Sequence, residues 1–109
     1  MTALVGRIWE FSVDPSRAGE FEAFAAASAL PMVSGRMGCS AVHVLRDPAA
    51  EGRYLWVTLW LSRKALQVAA ASAEWDEARS GFAEFGAAFD LDHARAFDVV
   101  ASFRAGERG

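Results

Sequence analysis

The sequence has little of the chemistry that cross-links or metal sites require. Its one cysteine, Cys39, excludes an internal disulfide and any cysteine-rich metal site. No apolar run approaches the roughly 20 residues that cross a membrane. The net charge is −3, and lysine and arginine form no cluster, so we expect neither a nucleic-acid partner nor a membrane partner. The N-terminus carries no basic and apolar leader, and we therefore expect a cytoplasmic protein.

The length and composition predict one domain with an apolar interface. The 109 residues suit a single domain over 1–109, with a frayed tail at 104–109. A chain of this size buries about two-thirds of the surface that its unfolded form exposes, which is enough for one core. Hydrophobic residues make up 53% of the sequence, a share that fits a core plus an apolar interface. Alanine is frequent and arginine far outnumbers lysine, as is typical of a GC-rich bacterial genome.

The clearest structural signal is an alternating run over residues 53–61. Large rings at Tyr54, Trp56 and Trp60 alternate with aliphatic side chains, which predicts a strand with both faces buried. Ser62 follows as the predicted N-cap of a helix. A small domain with such a sheet must cover one face with its own helices. The other face needs a second sheet, most simply that of an identical subunit.

The remaining patterns complete a recognisable order of elements. Strands are predicted at 3–13, 39–46 and 94–103. One helix begins at Pro15 with Asp14 as its cap, and Pro31 should kink or end it. The second helical region is predicted to break near Ser72. The order β-α-β-β-α-β indicates an α+β, ferredoxin-like fold, in which a four-stranded antiparallel sheet has its helices on one face.

Aromatic stripes on the predicted helices supply the cover for that face. Phe21 and Phe24 lie at helical spacing on the first helix, and Trp75, Phe82 and Phe89 lie on the second. The opposite face of the sheet keeps large apolar residues with nothing to cover them. An exposed patch of that size is typical of an interface, so we expect a homodimer that packs sheet against sheet.

Several short motifs, taken together in this order, match a known family. They are Pro15 followed by Phe21 and Phe24, Gly38-Cys39, Leu45-Arg46-Asp47, Arg53-Tyr54, Trp60 with Ser62 and Ala65, and Ser72 with Trp75. The chain resembles the antibiotic biosynthesis monooxygenase domain family, within the dimeric α/β-barrel superfamily, from about Leu4 to Val100.

The resemblance implies a homodimer whose two sheets form a barrel, and a cavity between the sheet and helices of each subunit. In relatives this cavity holds a polycyclic aromatic, a quinol or haem. Some relatives oxygenate electron-rich phenols with O₂ and with no metal or flavin, because a substrate deprotonated to a carbanion can itself pass an electron to O₂. The implied function is therefore a cofactor-independent monooxygenase that acts on a hydrophobic aromatic or quinol-like small molecule.

The catalytic positions of those relatives are changed in this chain. The strand-one asparagine of haem degraders falls at Trp9, their helix tryptophan at Ala69 and their histidine at Arg79. An acidic residue common on strand three is Thr58 here. Two alternatives therefore stay open. One is a non-catalytic, dimeric protein for small-ligand binding or stress response, and the other is a haem-degrading oxygenase.

Three charged or titratable residues are candidates for chemistry. His43 lies mid-strand in an apolar run and is the predicted catalytic base, with a core or interface histidine as the alternative. Arg79 shares a helix face with Trp75 and is the predicted partner of a substrate oxyanion, unless it extends to solvent. Arg7 pairs either with an anion or with a carboxylate at the dimer edge.

Aromatic side chains are the candidates for lining a substrate pocket, with plain core packing as the alternative for each. They are Trp9, Trp56, Trp60, Trp75, Phe24 and Phe82. His43 and His93 lack metal-ligand spacing, so no metal site is predicted. We predict no cofactor.

Overall fold

A four-stranded antiparallel sheet forms the framework of the computed structural model, which describes residues 4–86 and 94–103. Its strands are β1 (Val5–Ser12), β2 (Cys39–Arg46), β3 (Arg53–Trp60) and β4 (Ala94–Asp98). They lie in the order β2-β3-β1-β4, and every neighbouring pair is antiparallel. This arrangement confirms the predicted α+β, ferredoxin-like fold and makes β3 and β1 the central strands.

Helical segments cover one face of the sheet. They are a 3₁₀ turn (Pro15–Arg17), α1 (Ala18–Phe24), a π-helical turn (Ala25–Ala29), α2 (Leu30–Ser34), α3 (Arg63–Ala70) and α4 (Ala73–Ala83). Their buried side chains include Phe21, Trp75 and Phe82, which confirms the predicted stripes for these residues. The stripe residue Phe89 lies outside the described residues.

Capping hydrogen bonds mark the helix starts, and the bond at Ser62 confirms the predicted N-cap. Ser62 Oγ accepts from the backbone N–H of Ala65 at 3.1 Å, and Ser72 Oγ accepts from that of Trp75 at 3.2 Å. Ser72 also separates α3 from α4, as the sequence predicts. Asp14 caps the 3₁₀ turn that begins at Pro15. These caps satisfy N–H groups that have no partner within their own helices.

The chain continues in helical form past Pro31 to Ser34. A proline inside a helix lacks an N–H and crowds the carbonyl one turn earlier. Here a π-helical turn precedes Pro31, and the N–H of Leu30 bonds to the carbonyl of Ala25, five residues back. The wider turn accommodates the proline, so the helix is locally distorted where the sequence predicted a kink or an end.

Strand β4 ends at Asp98, whereas the sequence predicts a strand to residue 103. Asp98 pairs with Val5, the first residue of β1, and the N–H of Val99 donates to the carbonyl of Leu4. Residues 99–103 lie outside the strand, and Phe103 is 87% exposed.

The two faces of β3 differ sharply in burial. Tyr54, Trp56 and Trp60 point under the helices and are at most 4% exposed. Leu55 and Val57, on the opposite face, are only partly buried. The sequence predicted burial on both faces, and within a single chain this holds for one of them. We refer to the two sides as the helix side and the open side of the sheet.

A glycine at the start of β2 gives a test of this packing. Gly38 has φ of +84°, and a Cβ placed there would lie 2.5 Å from Cβ of Ala65 in α3. We expect Gly38→Ala to lower the free energy of unfolding by about 1–3 kcal/mol, measured by urea denaturation. Gly19→Ala is the matched control, because no atom lies within 4 Å of a Cβ at that helical site. It should stabilise the fold by about 0.5–1 kcal/mol; equal effects of the two substitutions would contradict the packing described.

Candidate functional site

An aromatic layer fills the helix side of the sheet. The rings of Trp9 and Phe11 stack with centroids 4.4 Å apart, and Phe82 lies 5.4 Å from Phe11. Phe82 also meets Trp56 edge-on at 4.9 Å and Phe24 at 5.9 Å. Four of the predicted pocket residues, Trp9, Trp56, Phe24 and Phe82, therefore lie together on this side, in contact with other rings.

The other two predicted pocket residues form a separate pair beside an arginine. Trp60 is fully buried, and its ring centroid lies 5.9 Å from that of Trp75. The guanidinium carbon of Arg7 lies 5.0 Å from the Trp75 ring centroid, a cation–π contact. The sequence left Arg7 open between an anion partner and the dimer edge. The structure puts it on the helix side, against an aromatic ring.

Two buried hydrogen-bonding groups near Arg7 have no partner among the described residues. They are the Thr58 hydroxyl and the Trp60 indole N–H. Thr58 is fully buried and is the direct β3 partner of Arg7 in the sheet. Because adjacent strands align their faces, the Thr58 and Arg7 side chains project to the same side. This end of the helix side therefore presents N–H and O–H groups without a protein acceptor.

A second cation adds to the positive character of this end. Burial lowers the pKa of the Arg7 guanidinium, and the nearby charge of Arg79 lowers this pKa further. Arg79 itself forms an ion pair with Asp76 at 2.5 Å. No carboxylate lies within ion-pair distance of Arg7 in the described ranges. We call Arg7, Arg79, Thr58, Trp60 and Trp75 the cationic cluster.

The predicted base lies away from this cluster. His43 is exposed on β2 and pairs with Val57, whose side chain faces the open side. Arg79 projects from α4 near Arg7, on the helix side. The sheet therefore separates the predicted base from the predicted oxyanion partner within one chain. His93 lies outside the described residues.

A groove opens between the π-helical turn and the edge strand β2. Its volume is about 530 Å³. It is lined by Glu22, Ala25, Ala26, Leu30, Val44, Leu45, Arg46, Pro48 and Tyr54. The Tyr54 hydroxyl donates to Oε2 of Glu22 at 2.7 Å, and Nη1 of Arg46 lies 3.3 Å from the same oxygen. We call these three side chains the Glu22 triad.

No motif in the sequence indicates the Glu22 triad, and Tyr54 stands out only as one of the alternating rings of residues 53–61. One signal was available: Tyr54 alternates with Trp56 and Thr58, so it had to project to the same side. Glu22 lies 32 residues before Tyr54, and no local pattern joins them.

The environment of Tyr54 makes its hydroxyl a poor acid. Burial of the phenol raises the pKa of Tyr54 to about 12, and the hydrogen bond and negative charge of Glu22 add to this rise. Near neutral pH the hydroxyl therefore stays protonated and acts as a donor to Glu22. Burial likewise raises the pKa of the Cys39 thiol above its ordinary value.

Two further kinds of site, a metal centre and a membrane-spanning helix, were sought among the described residues. They bring together no group of three or more His, Cys, Asp or Glu side chains as a metal ion would require. Within the same ranges, no helix has both the length and the apolar character that crossing a bilayer requires.

Comparison with solved structures finds the same fold in several proteins of similar length. A Caulobacter crescentus protein assigned to the antibiotic biosynthesis monooxygenases superposes with a TM-score of 0.73 at 20% identity, over 92% of each chain. A Bordetella bronchiseptica protein of the same assignment gives 0.72 at 25% identity, over 93% of this chain and 99% of the other. SnoaB from Streptomyces nogalater, a cofactor-independent oxygenase, gives 0.68 at 18% identity, over 96% and 99%.

The sequence itself matches the antibiotic biosynthesis monooxygenase family over residues 4–81. The chain belongs to this family, which confirms the resemblance drawn from its motifs. No curated protein matches the chain in sequence.

The Glu22 triad generates a prediction about pH. Tyr54 is the only tyrosine, so the ultraviolet absorbance of phenolate reports it alone. We expect a midpoint of about 12 in the folded protein, and a lower one in Glu22→Gln because the charge and the strong acceptor are removed. Glu20→Gln, on the same helix but outside the groove, should leave the midpoint unchanged. A wild-type midpoint at the ordinary value of 10.0 would contradict the triad.

The same shift has a consequence for stability. A tyrosine whose pKa is raised by folding contributes stability that is complete below the unfolded value of 10.0 and is lost as pH rises through about 12. Wild-type protein should therefore lose stability across this interval more steeply than Tyr54→Phe, as followed by chemical denaturation at each pH.

Proposed function

We propose that the chain is a cofactor-independent oxygenase that acts on an electron-rich aromatic or quinol-like small molecule. The observation that carries this proposal is the cationic cluster beside the aromatic layer. The Thr58 hydroxyl and the Trp60 indole N–H lack a partner among the described residues, and the Arg7 guanidinium lies over the Trp75 ring. Donors of this kind fit an aromatic substrate whose oxygen carries negative charge.

Besides O₂, the proposed reaction needs a base that takes a proton from the substrate. Removal of a proton from the substrate gives an anion that spreads its charge onto an oxygen. That anion can then pass an electron to O₂, and the two radicals combine to form a C–O bond. The peroxide anion takes up the proton and loses water, which leaves a carbonyl oxygen on the product. Arg79, as the sequence suggested, and Arg7 would hold the charged oxygen, while Trp75 and its neighbouring rings exclude water and orient the substrate. Family membership and the likeness to SnoaB support the reaction class.

The structure limits the substrates for which His43 could act as the catalytic base. A base must come within hydrogen-bond reach of the proton that it removes. His43 projects to the open side, so it is a candidate base only for a substrate bound there, and not for one held by Arg7 and Arg79 of the same chain.

A second candidate function is binding without catalysis. The observation that favours it is the mutual packing of the aromatic layer, in which Trp9, Phe11 and Phe82 contact each other. Under this proposal the family fold binds a hydrophobic ligand and returns it unchanged. Tight binding with no conversion would favour this function over the first.

Aerobic turnover tests the oxygenase proposal. Purified protein is incubated with a panel of anthrones and hydroquinones while O₂ uptake is measured. We expect turnover above the uncatalysed rate, and a loss of about 10²-fold in kcat/KM in Arg7→Met, because one stabilising cation is removed. Arg63→Met is the control, since Arg63 pairs with Asp98 outside the cationic cluster. Absence of turnover across the panel would sink the proposal.

We also propose that the open side is covered by a second copy of the chain. Val57 lies at its centre, between Ile8 and His43 on the neighbouring strands. Leu45 and Phe97 on the same side are 48% and 41% exposed. Exposing such an apolar face to water costs free energy. A second copy related by a two-fold axis would bury the same face of both chains.

Sedimentation tests the dimer. We expect wild-type protein at micromolar concentration to sediment at twice its chain mass of 11.8 kDa. Val57→Arg should shift it toward the monomer, because the substitution puts a charge at the centre of the interface. Val68→Arg is the matched control, on the outer surface of α3, where Val68 is already 61% exposed. A stable wild-type monomer would rule the dimer out.

A further inference from the structure

The groove beside the π-helical turn has the size and walls of a small-molecule site. Its volume of about 530 Å³ lies within the range of roughly 300–1,000 Å³ that is usual for such sites. Ala25 and Ala26 on the π-helical turn leave room on one wall, and Leu30, Val44 and Pro48 make most of the remainder apolar. The walls are largely aliphatic, unlike the aromatic layer behind them.

The polar end of the groove has an acceptor left open. Both contacts to Glu22, from Tyr54 and from Arg46, fall on Oε2. Oε1 accepts no hydrogen bond in the part of the chain that the structure describes. A carboxylate can accept on both oxygens, and the Glu22 side chain is 38% exposed, so a ligand can reach it.

The positive charge of Arg46 limits which ligand groups can donate a hydrogen bond to Oε1 of Glu22. Arg46 lies beside Glu22 and is 67% exposed, so it would repel a cationic amine that approached Oε1. An anion would be repelled by the Glu22 carboxylate itself. A neutral hydroxyl satisfies Oε1 without meeting either penalty, and the aliphatic walls would cover an apolar body attached to it.

We propose that this groove is a binding site for an uncharged, apolar alcohol or phenol, whose hydroxyl donates to Oε1 of Glu22. The site is separate from the cationic cluster, because Tyr54 and Thr58 lie four residues apart on β3 and neither Arg7 nor Arg79 lines the groove. It therefore does not depend on the proposed oxygenase reaction.

Matched pairs of probes test the hydroxyl. Binding of 2-naphthol and of borneol is compared by calorimetry near neutral pH with binding of their methyl ethers, which keep the ring but lack the donor. We expect at least one alcohol to bind about tenfold more tightly than its ether, because a hydrogen bond to a charged acceptor is worth about that factor. Tighter binding of 2-naphthol than of its ether indicates that the groove accepts an aromatic ring, and tighter binding of borneol than of its ether indicates that it accepts an alicyclic ring. No discrimination in either pair overturns the proposal.

Variants assign that discrimination to Glu22. Glu22→Ala should bind alcohol and ether equally, whereas Glu20→Ala, on the same helix but outside the groove, should keep the tenfold difference. Glu22→Gln keeps the side-chain shape and should reduce the difference, because an amide oxygen is a weaker acceptor; it serves if the alanine variant does not fold. Discrimination that survives in both Glu22 variants overturns the proposal.

A further variant locates the probe. Ala26 is exposed on the groove wall, and Ala26→Phe should fill the space and weaken both members of the pair. Undiminished binding in this variant would mean that the probe occupies another site, and the proposal would fail. Turnover of anthrones and hydroquinones is measured on the same variants. Absence of turnover counts against the oxygenase proposal only, and absence of discrimination between alcohol and ether counts against the groove proposal only.

Discussion

The alternation of side chains along β3 is the constraint on which the rest of the structure depends. Because the strand period is two residues, Tyr54, Trp56, Thr58 and Trp60 must share one side of the sheet. β3 is also central, with β2 and β1 hydrogen-bonded on either side, so its register passes to both neighbours. A slip of one residue would move the rings to the open side and leave the helices without a core.

That alternation also sorts the polar groups into two distant places. Thr58 fixes the end where Arg7 meets Trp75, and Tyr54 fixes the end where Glu22 and Arg46 meet. Between them the aromatic layer fills the space. The same side of one sheet thus carries a positively charged end rich in donors and an end whose carboxylate keeps an open acceptor. Ligands of opposite hydrogen-bonding character suit the two ends.

Most of the fold could be predicted from local sequence because its signals are local. The cap at Ser62, the break near Ser72 and the alternation of residues 53–60 each depend on neighbouring residues, and the structure has them as predicted. The end of β4 at Asp98, where it pairs with Val5 of β1, has no signal inside residues 94–103. The continuation past Pro31 depends on a π-helical turn that hydrophobic spacing does not indicate.

The candidate site was less predictable because it is assembled across elements. His43 and Arg79 were chosen for their chemistry, and only the pairing of His43 with Val57 shows that they project to opposite sides. Glu22 and Tyr54 meet across 32 residues of chain, so their contact follows from the docking of α1 on the sheet. Residue type could suggest chemistry in both cases, but register and packing decide which groups meet.

The cationic cluster carries a cost that constrains what it can do. A buried hydrogen-bonding group without a partner costs about 1–3 kcal/mol, and two of the three such groups in the described residues, those of Thr58 and Trp60, belong to this cluster. Arg7 adds a half-buried cation held near a second one. Apolar side chains of similar shape would avoid these penalties, so packing alone does not favour this arrangement. An acceptor that entered the cluster would satisfy the donors and screen the two cations from each other. Whatever binds there must therefore be rich in acceptors, and a neutral hydrocarbon would leave every one of these penalties in place.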